Sequence, residues 1–158
     1  MGVALDSYDK AILEHLQRDS SISNLELSKQ IGLSPSACLI RTKNLKEQGI
    51  IRRFTTIIDE QKLGMNILAF ALVDLNPLNR ETIGPFLDLI QSLPQVQECY
   101  TLTGQHSFLL KIVERDIGSY RDFVIYRLMA CPAVSNVESS MVMGVEKRTT
   151  MIPVDMER

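Results

Sequence analysis

The sequence predicts an α+β fold with two domains: an N-terminal helix-turn-helix (winged-helix-like) domain and a C-terminal ferredoxin-like β-α-β-β-α-β domain. Apolar residues recur at helical spacing between residues 6 and 49, whereas short β-rich runs alternate with single helical segments from residue 67 onward. We expect the first domain and a linker strand at 1–58, a linker loop at 59–65 and the second domain at 66–158.

Composition limits the class of protein. The chain has 158 residues, of which 45% are hydrophobic and 23% charged, so it is typical of a globular protein. The net charge is −2, so a surface that attracts nucleic acid must be local. The three cysteines lack the spacing of a zinc site or a disulfide framework. No apolar run could span a bilayer, and we expect a cytoplasmic protein with no metal, other cofactor or membrane partner.

Boundary signals define three N-terminal helices. Residues 23–26 have the sequence of a capping box and predict the start of the second helix, which ends at Gly32. Ser34 and Pro35 are a typical N-cap and first helical residue, and they start a third helix that ends at Gly49. The second and third helices, joined by a glycine turn, form a helix-turn-helix pattern. The residues expected to pack inward are Ile12, Leu13, Leu16, Leu25, Leu27, Ile31, Cys38, Thr42 and Leu45.

The rest of the chain is predicted from strand and turn composition. Segment 50–58 is rich in β-branched residues, which favours the linker strand. The predicted elements of the second domain are a strand at 67–73, a helix at 83–93, hairpin strands at 96–102 and 108–113, a helix from Asp116 to near Pro132, and an extended stretch at 134–145.

The outer face of the third predicted helix suits a DNA major groove. Arginine can bind a guanine edge, asparagine an adenine edge, and a methyl group can contact thymine. Segment 24–58 has six basic and two acidic residues, and this local charge of 6 − 2 = +4 favours phosphate contacts. The predicted DNA-binding residues are Ser34, Ser36, Ala37, Ile40, Arg41, Lys43, Asn44, Arg52 and Arg53.

Two other interpretations fit the same residues. A three-helix bundle with a solvated charged face could belong to a small-molecule sensor or a protein-interaction module. An enzyme is suggested by His106, which lies near Cys99 and Ser107 in the sequence. A nucleophilic site also needs a residue that orients the histidine, and the sequence shows none, so we predict no enzymatic activity.

The second domain is expected to form a homodimer. In a ferredoxin-like domain the helices cover one face of the sheet, yet the strand at 67–73 is apolar on both faces. A second copy of the sheet would cover the other face, and the alternative cover is the tail at 149–158. A dimer would also place two recognition helices about 34 Å apart, the spacing of half-sites on a pseudo-palindromic operator.

Several motifs together resemble one family. They are Leu5-Asp6-x-x-Asp9-x-x-Ile12-Leu13, Ile22-Ser23-Asn24-x-Glu26-Leu27-Ser28-Lys29-x-Ile31-Gly32-Leu33-Ser34-Pro35, and Val96-Gln97-Glu98-Cys99-Tyr100 followed by Gly104. In these motifs the chain resembles the Lrp/AsnC (feast/famine) transcriptional regulators, and its second domain resembles their RAM domain. The resemblance implies double-stranded DNA and an amino-acid effector as partners, and dimers that assemble into tetramers or octamers.

The resemblance also implies an effector site between dimers, at the hairpin turn. The implied effector-binding residues are Thr101, Leu102, Thr103, Gly104, Gln105, His106, Ser107, Ser140 and Met141. Members of the family typically carry a Gly-Asp-x-Asp-Tyr turn, whereas residues 104–108 have no carboxylate. A cationic ligand side chain would need one, so we expect a neutral amino acid. The alternative is an effector-independent architectural regulator in which this pocket serves only as an oligomer contact.

Overall fold

The computed structural model describes residues 3–154, which divide into two compact units. The first unit contains the residues up to 57 together with those from 147, and the second contains residues 58–146. The tail therefore groups with the first unit and not, as predicted, with the second domain. Gln17 explains this: its Nε2 donates to the Ile152 carbonyl at 3.0 Å, and its Oε1 accepts from the Ile152 N–H at 2.6 Å.

Three helices form the first unit, and each begins at a side-chain cap. They are α1 (Ser7–Arg18), α2 (Asn24–Gln30) and α3 (Pro35–Glu47). Asp6, Ser23 and Ser34 accept hydrogen bonds from the backbone N–H groups three residues later, which satisfies donors that a helix start leaves unpaired. The capping box predicted for α2 is only half formed, because the Glu26 carboxylate accepts from the Gln30 side chain instead. The core residues of this unit are Ile12, Leu13, Leu27, Cys38 and Leu45.

The turn between α2 and α3 has the predicted form. Gly32 has φ +70°, a left-handed conformation that favours glycine. The Leu33 N–H donates to the Ser28 carbonyl at 2.9 Å, and Asn24 Nδ2 donates to the Pro35 carbonyl at 2.8 Å. These bonds fix the start of α3 against α2.

The linker strand predicted within 50–58 has no strand partner among the described residues. Residues 52–59 form neither helix nor strand, and the side chains of Phe54, Ile57 and Ile58 are exposed. Beta-branched composition favours extended backbone, but a strand also needs a hydrogen-bonded neighbour. Within the predicted loop at 59–65, residues Gln61–Leu63 form one 3₁₀ turn.

The second unit has the predicted β-α-β-β-α-β order. Its elements are β1 (Ile67–Leu75), α4 (Arg80–Ser92), β2 (Val96–Thr101), β3 (Phe108–Glu114), α5 (Ile117–Phe123), which continues as a π turn (Val124–Leu128), and β4 (Val134–Met141). The strands form one antiparallel sheet in the order β2-β3-β1-β4. β4 ends at residue 141, four residues short of the predicted stretch.

One face of this sheet packs against the helices. Ala69, Ala71 and Val73 of β1 are fully buried, and the Phe86 ring of α4 packs at a tilt against the Phe108 ring of β3 with 4.8 Å between ring centroids. The alternate residues of β1 point to the other face. Leu68, Phe70 and Leu72 are among these, and they lie outside the core cluster and are half-buried. The apolar character of both sheet faces is therefore present in the structure.

Candidate DNA interface and effector site

The outer surface of α3 is the first candidate site. The side chains of Ser36, Ile40, Lys43 and Asn44 are exposed, and Ala37 is half-buried. The inward face is as predicted, with Cys38 and Leu45 buried. Small and polar groups near the start of α3, followed by a cation and an amide, could contact base edges and phosphates.

The remaining predicted DNA-binding residues differ in how freely they could bind DNA. Arg52 and Arg53 are exposed and form no ion pair with another described residue. Lys43 Nζ lies 3.5 Å from Oε1 of Glu47, and both side chains are exposed. The Ser34 hydroxyl is used in the cap of α3, where it accepts from the Ala37 N–H at 3.2 Å. Arg52 and Arg53 are thus the cations least neutralised by neighbours.

The structure turns Arg41 toward α1 and not outward as predicted. Its Nη1 donates to Asp6 Oδ2 at 2.7 Å and to Asp9 Oδ1 at 2.9 Å. Its guanidinium carbon lies 5.4 Å from the centre of the Tyr8 ring. Hydrogen bonds to the two carboxylates raise the pKa of Arg41, and the bond to Asp9 has the larger effect. This arginine therefore joins α3 to the start of α1 in the described structure.

The hairpin turn between β2 and β3 is the second candidate site. It is closed by the Leu102 N–H, which donates to the Ser107 carbonyl at 2.9 Å. Gly104 has φ +123°, a conformation that side-chain-bearing residues rarely adopt. Thr103 and Gln105 are exposed beside it. The tip of the turn thus presents backbone amide and carbonyl groups that a small ligand could approach.

A carboxylate that the sequence prediction missed holds the base of this turn. Asp74, near the end of β1, accepts from the Ser107 N–H through Oδ1 at 3.0 Å and from Asn136 Nδ2 through Oδ2 at 3.3 Å. Its Oδ2 also lies 3.0 Å from Nδ1 of His106. The hydrogen bond to His106 is the largest cause that lowers the pKa of Asp74.

A second carboxylate, that of Glu138 in β4, lies on the other side of the imidazole. Its Oε2 is 3.8 Å from His106 Nε2. Strand pairing thus places beside His106 two carboxylates that the turn sequence itself does not contain, and the sequence prediction missed both of them. Strand register explains why Asp74 meets the turn. Val73 pairs with Phe108 and with Val137, so Asp74 lies next to Ser107 on one side and Asn136 on the other.

The predicted effector residues of β4 lie elsewhere in the same chain. Ser140 pairs with Phe70 and Met141 with Ala69, three and four rungs from the Val73 level where the turn begins. At about 3.3 Å per residue, this is roughly 10 to 13 Å along the sheet. One chain therefore does not bring Ser140 and Met141 to the turn.

Similarity to known proteins extends over both units of the chain. A model of the Lrp/AsnC ligand binding domain matches residues 68–152, and a model of winged helix-turn-helix DNA-binding domains matches residues 5–52. Transcriptional regulator AzlB of Bacillus subtilis (strain 168) is 63% identical over 155 residues, which cover 98% of this chain and 99% of that protein. The leucine-responsive regulatory protein of Escherichia coli (strain K12) is 34% identical, over 97% of this chain and 93% of that protein.

The chain belongs to the Lrp/AsnC family. Its fold agrees with that of a solved Neisseria meningitidis transcriptional regulator in complex with L-Met, with a TM-score of 0.93 at 31% identity and coverage of 96% of this chain and 98% of that one. The family resemblance and the predicted fold class are confirmed. The protein is a transcriptional regulator with a helix-turn-helix DNA-binding domain and a ligand-binding domain.

Three residues of this Lrp/AsnC regulator lie at the candidate sites although the sequence prediction did not include them. Leu39 of α3 is 58% exposed, as Ile40 is, and it extends the apolar part of the outer surface of α3. Helical spacing could have indicated this, because Leu39 lies 100° around the helix from the buried Cys38. Asp74 and Glu138 are the other two, and both act on the turn from neighbouring strands. Within residues 3–154, no helix has the length and apolar character needed to cross a membrane.

Proposed function

We propose that this regulator binds specific DNA sequences as a homodimer through the outer face of α3, and that a neutral amino acid held at the hairpin turn modulates binding. The observation that carries the DNA part is the combination of a capped helix with an exposed outer face and two unneutralised arginines directly after it, Arg52 and Arg53. The helix supplies sequence-reading groups, and the arginines supply phosphate contacts.

Dimerisation is supported by the sheet face away from the helices. Phe70 and Leu72 of β1 lie on this face with Leu109 of β3, and all three are half-buried without joining the core. The same face carries a polar group, in which Glu98 accepts from Lys111 Nζ at 2.7 Å and from the Tyr100 hydroxyl at 2.6 Å. A second copy of the sheet would remove the apolar side chains from water. Larger assemblies, tetramers or octamers, would bring the turn of one dimer to another.

A neutral effector is supported by the chemistry of the turn. Asp74 already accepts hydrogen bonds from the turn and from β4, so a cationic ligand side chain would have to compete with these donors for its carboxylate. Glu138 is directed at the His106 imidazole. The solved Neisseria relative carries L-Met, a neutral amino acid, which supports the same ligand class here. Since Ser140 and Met141 are remote from the turn of their own chain, they would belong to the site only through another subunit.

Selection of bound sequences from a random duplex pool, with and without a mixture of the twenty amino acids, tests the proposal. We expect one enriched pseudo-palindromic motif and a change in its enrichment when amino acids are present. Enrichment that no amino acid changes would favour an effector-independent architectural regulator. No enriched duplex at low salt would favour a protein-docking module.

Calorimetry then locates the effector. We expect apolar or amide-bearing amino acids to bind and lysine and arginine not to bind. Gly104→Val should abolish binding, because valine would strain a backbone with φ +123°. Gly84→Val, at a helical glycine with open space around it, is the control. Binding of lysine or arginine alone would refute the charge argument, and binding unaffected by Gly104→Val would place the site elsewhere.

A further inference from the structure

Asp74 joins three separate parts of the second unit. It extends from β1, accepts from the backbone of Ser107 in the turn, and accepts from the side chain of Asn136 in β4. In addition, the Ser135 hydroxyl donates to the Asp74 backbone carbonyl at 3.2 Å. The conformation of the turn is thus tied to both neighbouring strands at one residue.

His106 lies between carboxylates from two strands. Asp74 Oδ2 faces Nδ1 at 3.0 Å, and Glu138 Oε2 faces Nε2 at 3.8 Å. The His106 side chain is 17% exposed, Asp74 23% and Glu138 63%. Asp74 and Glu138 are the charged groups that face His106 among the described residues, and its neighbours in the turn, Gln105 and Ser107, are neutral.

The protonation state of the imidazole decides how many of these contacts are charge-assisted hydrogen bonds. A neutral imidazole with its proton on Nδ1 donates to Asp74 and presents a lone pair toward Glu138. An imidazolium donates from both nitrogens, so it can hold the turn between β1 and β4. The second contact needs Glu138 Oε2 to move only roughly 1 Å closer to Nε2 than the observed 3.8 Å.

We propose that Asp74 and His106 are positioning residues for the effector: Asp74 holds the turn in its ligand-binding conformation, and protonation of His106 strengthens that hold through Glu138. This inference rests on the proposed effector function of the turn. It predicts that effector affinity rises as the solution is acidified from about pH 8 to about pH 5.5, the range in which histidine changes charge. A cluster that only stabilised the fold would leave this profile flat.

The first test measures the turn itself and needs no ligand. Hydrogen exchange of the Ser107 amide, followed by NMR on the full chain, should be about tenfold faster or more in Asp74→Ala than in the wild type. Asp88→Ala, which removes an exposed aspartate from α4 of the same unit, is the matched control and should leave this rate unchanged. Equal Ser107 exchange in the two variants would overturn the role of Asp74.

The second test measures L-methionine binding by calorimetry at about pH 5.5, 7 and 8. We expect severalfold tighter binding by the wild type at the lowest pH, and a flat profile for Asp74→Asn and His106→Gln. His15→Gln, the variant at the other histidine, should keep the wild-type profile. A wild-type profile in Asp74→Asn or His106→Gln would overturn the proposal, and so would weaker wild-type binding at low pH.

The two tests separate this proposal from the function on which it rests. If none of the twenty amino acids binds the wild type at any pH, the proposed effector function fails and the effector role of Asp74 fails with it. The Ser107 exchange rate in Asp74→Ala still decides whether this carboxylate holds the turn. If an amino acid binds and the pH profiles of all variants coincide, the effector function stands and the positioning role is refuted.

Discussion

Replacing Arg53 with alanine tests whether the segment after α3 contacts DNA phosphates. Arg53 is exposed and forms no ion pair with another described residue, so its full charge is available to the duplex. The logarithm of the binding constant falls with the logarithm of salt concentration by about 0.9 for each phosphate that a protein neutralises. Loss of one contact should therefore reduce the slope by about 0.9, whatever the sequence of the duplex.

The size of the effect follows from this slope. Between about 50 and 200 mM salt, one phosphate contact accounts for about a 3.5-fold change in affinity. Over this range the loss of affinity measured for Arg53→Ala should thus be smaller than that of the wild type by a factor of about 3.5. Lys43→Ala should change the salt slope less than Arg53→Ala does, because the Glu47 carboxylate lies 3.5 Å from the Lys43 ammonium group.

Fluorescence anisotropy titrations at five salt concentrations, on an operator duplex and on an unrelated duplex, would measure the slopes. Arg18→Ala is the matched control. Arg18 is an exposed arginine at the C-terminal end of α1, and its loss changes the net charge by the same amount. An equal slope change in the two variants would show that net charge, and not a contact at Arg53, causes the effect. An Arg53→Ala effect confined to the operator would also refute the reasoning.

Three further predictions follow from the described contacts. Arg41→Ala, which removes the link between α3 and α1, and Asp9→Asn, which weakens it while Asp6 still binds Arg41, should weaken binding to all duplexes alike in anisotropy titrations, the first variant more strongly. If Arg41 instead reads a base, Arg41→Ala would lose the preference at one base pair, and Asp9→Asn would leave the arginine freer to contact DNA. Phe70→Lys should shift the protein toward monomer in sedimentation velocity by charging the uncovered sheet face, whereas Ile117→Lys, at a 67% exposed helix residue, should not. Because hydrogen bonds lower the pKa of Asp74, this carboxylate stabilises the folded unit above its unfolded pKa of about 3.9, and the contribution is lost as pH falls through the lower folded value; urea titrations should show less acid destabilisation in Asp74→Asn.

Local sequence determined where the helices of the first unit begin and end. Ser34 followed by Pro35 marked the start of α3, and the observed cap is the one expected. Gly32 and Gly49 marked the ends of α2 and α3, and both have the positive φ that favours glycine. Such signals act within a few residues, so they can be read without knowledge of the fold.

Tertiary structure decided which distant side chains meet. Asp74 and His106 are 32 residues apart, and they are neighbours only because β1 and β3 pair in a particular register. Arg41 was predicted to face outward because helical spacing defines the faces of α3 but not the charges on a neighbouring helix, where Asp9 binds it. The segment 50–58 has the composition of a strand, but no strand within residues 3–154 pairs with it. Composition sets the tendency of a segment, whereas pairing and ion contacts depend on where the fold brings its partners.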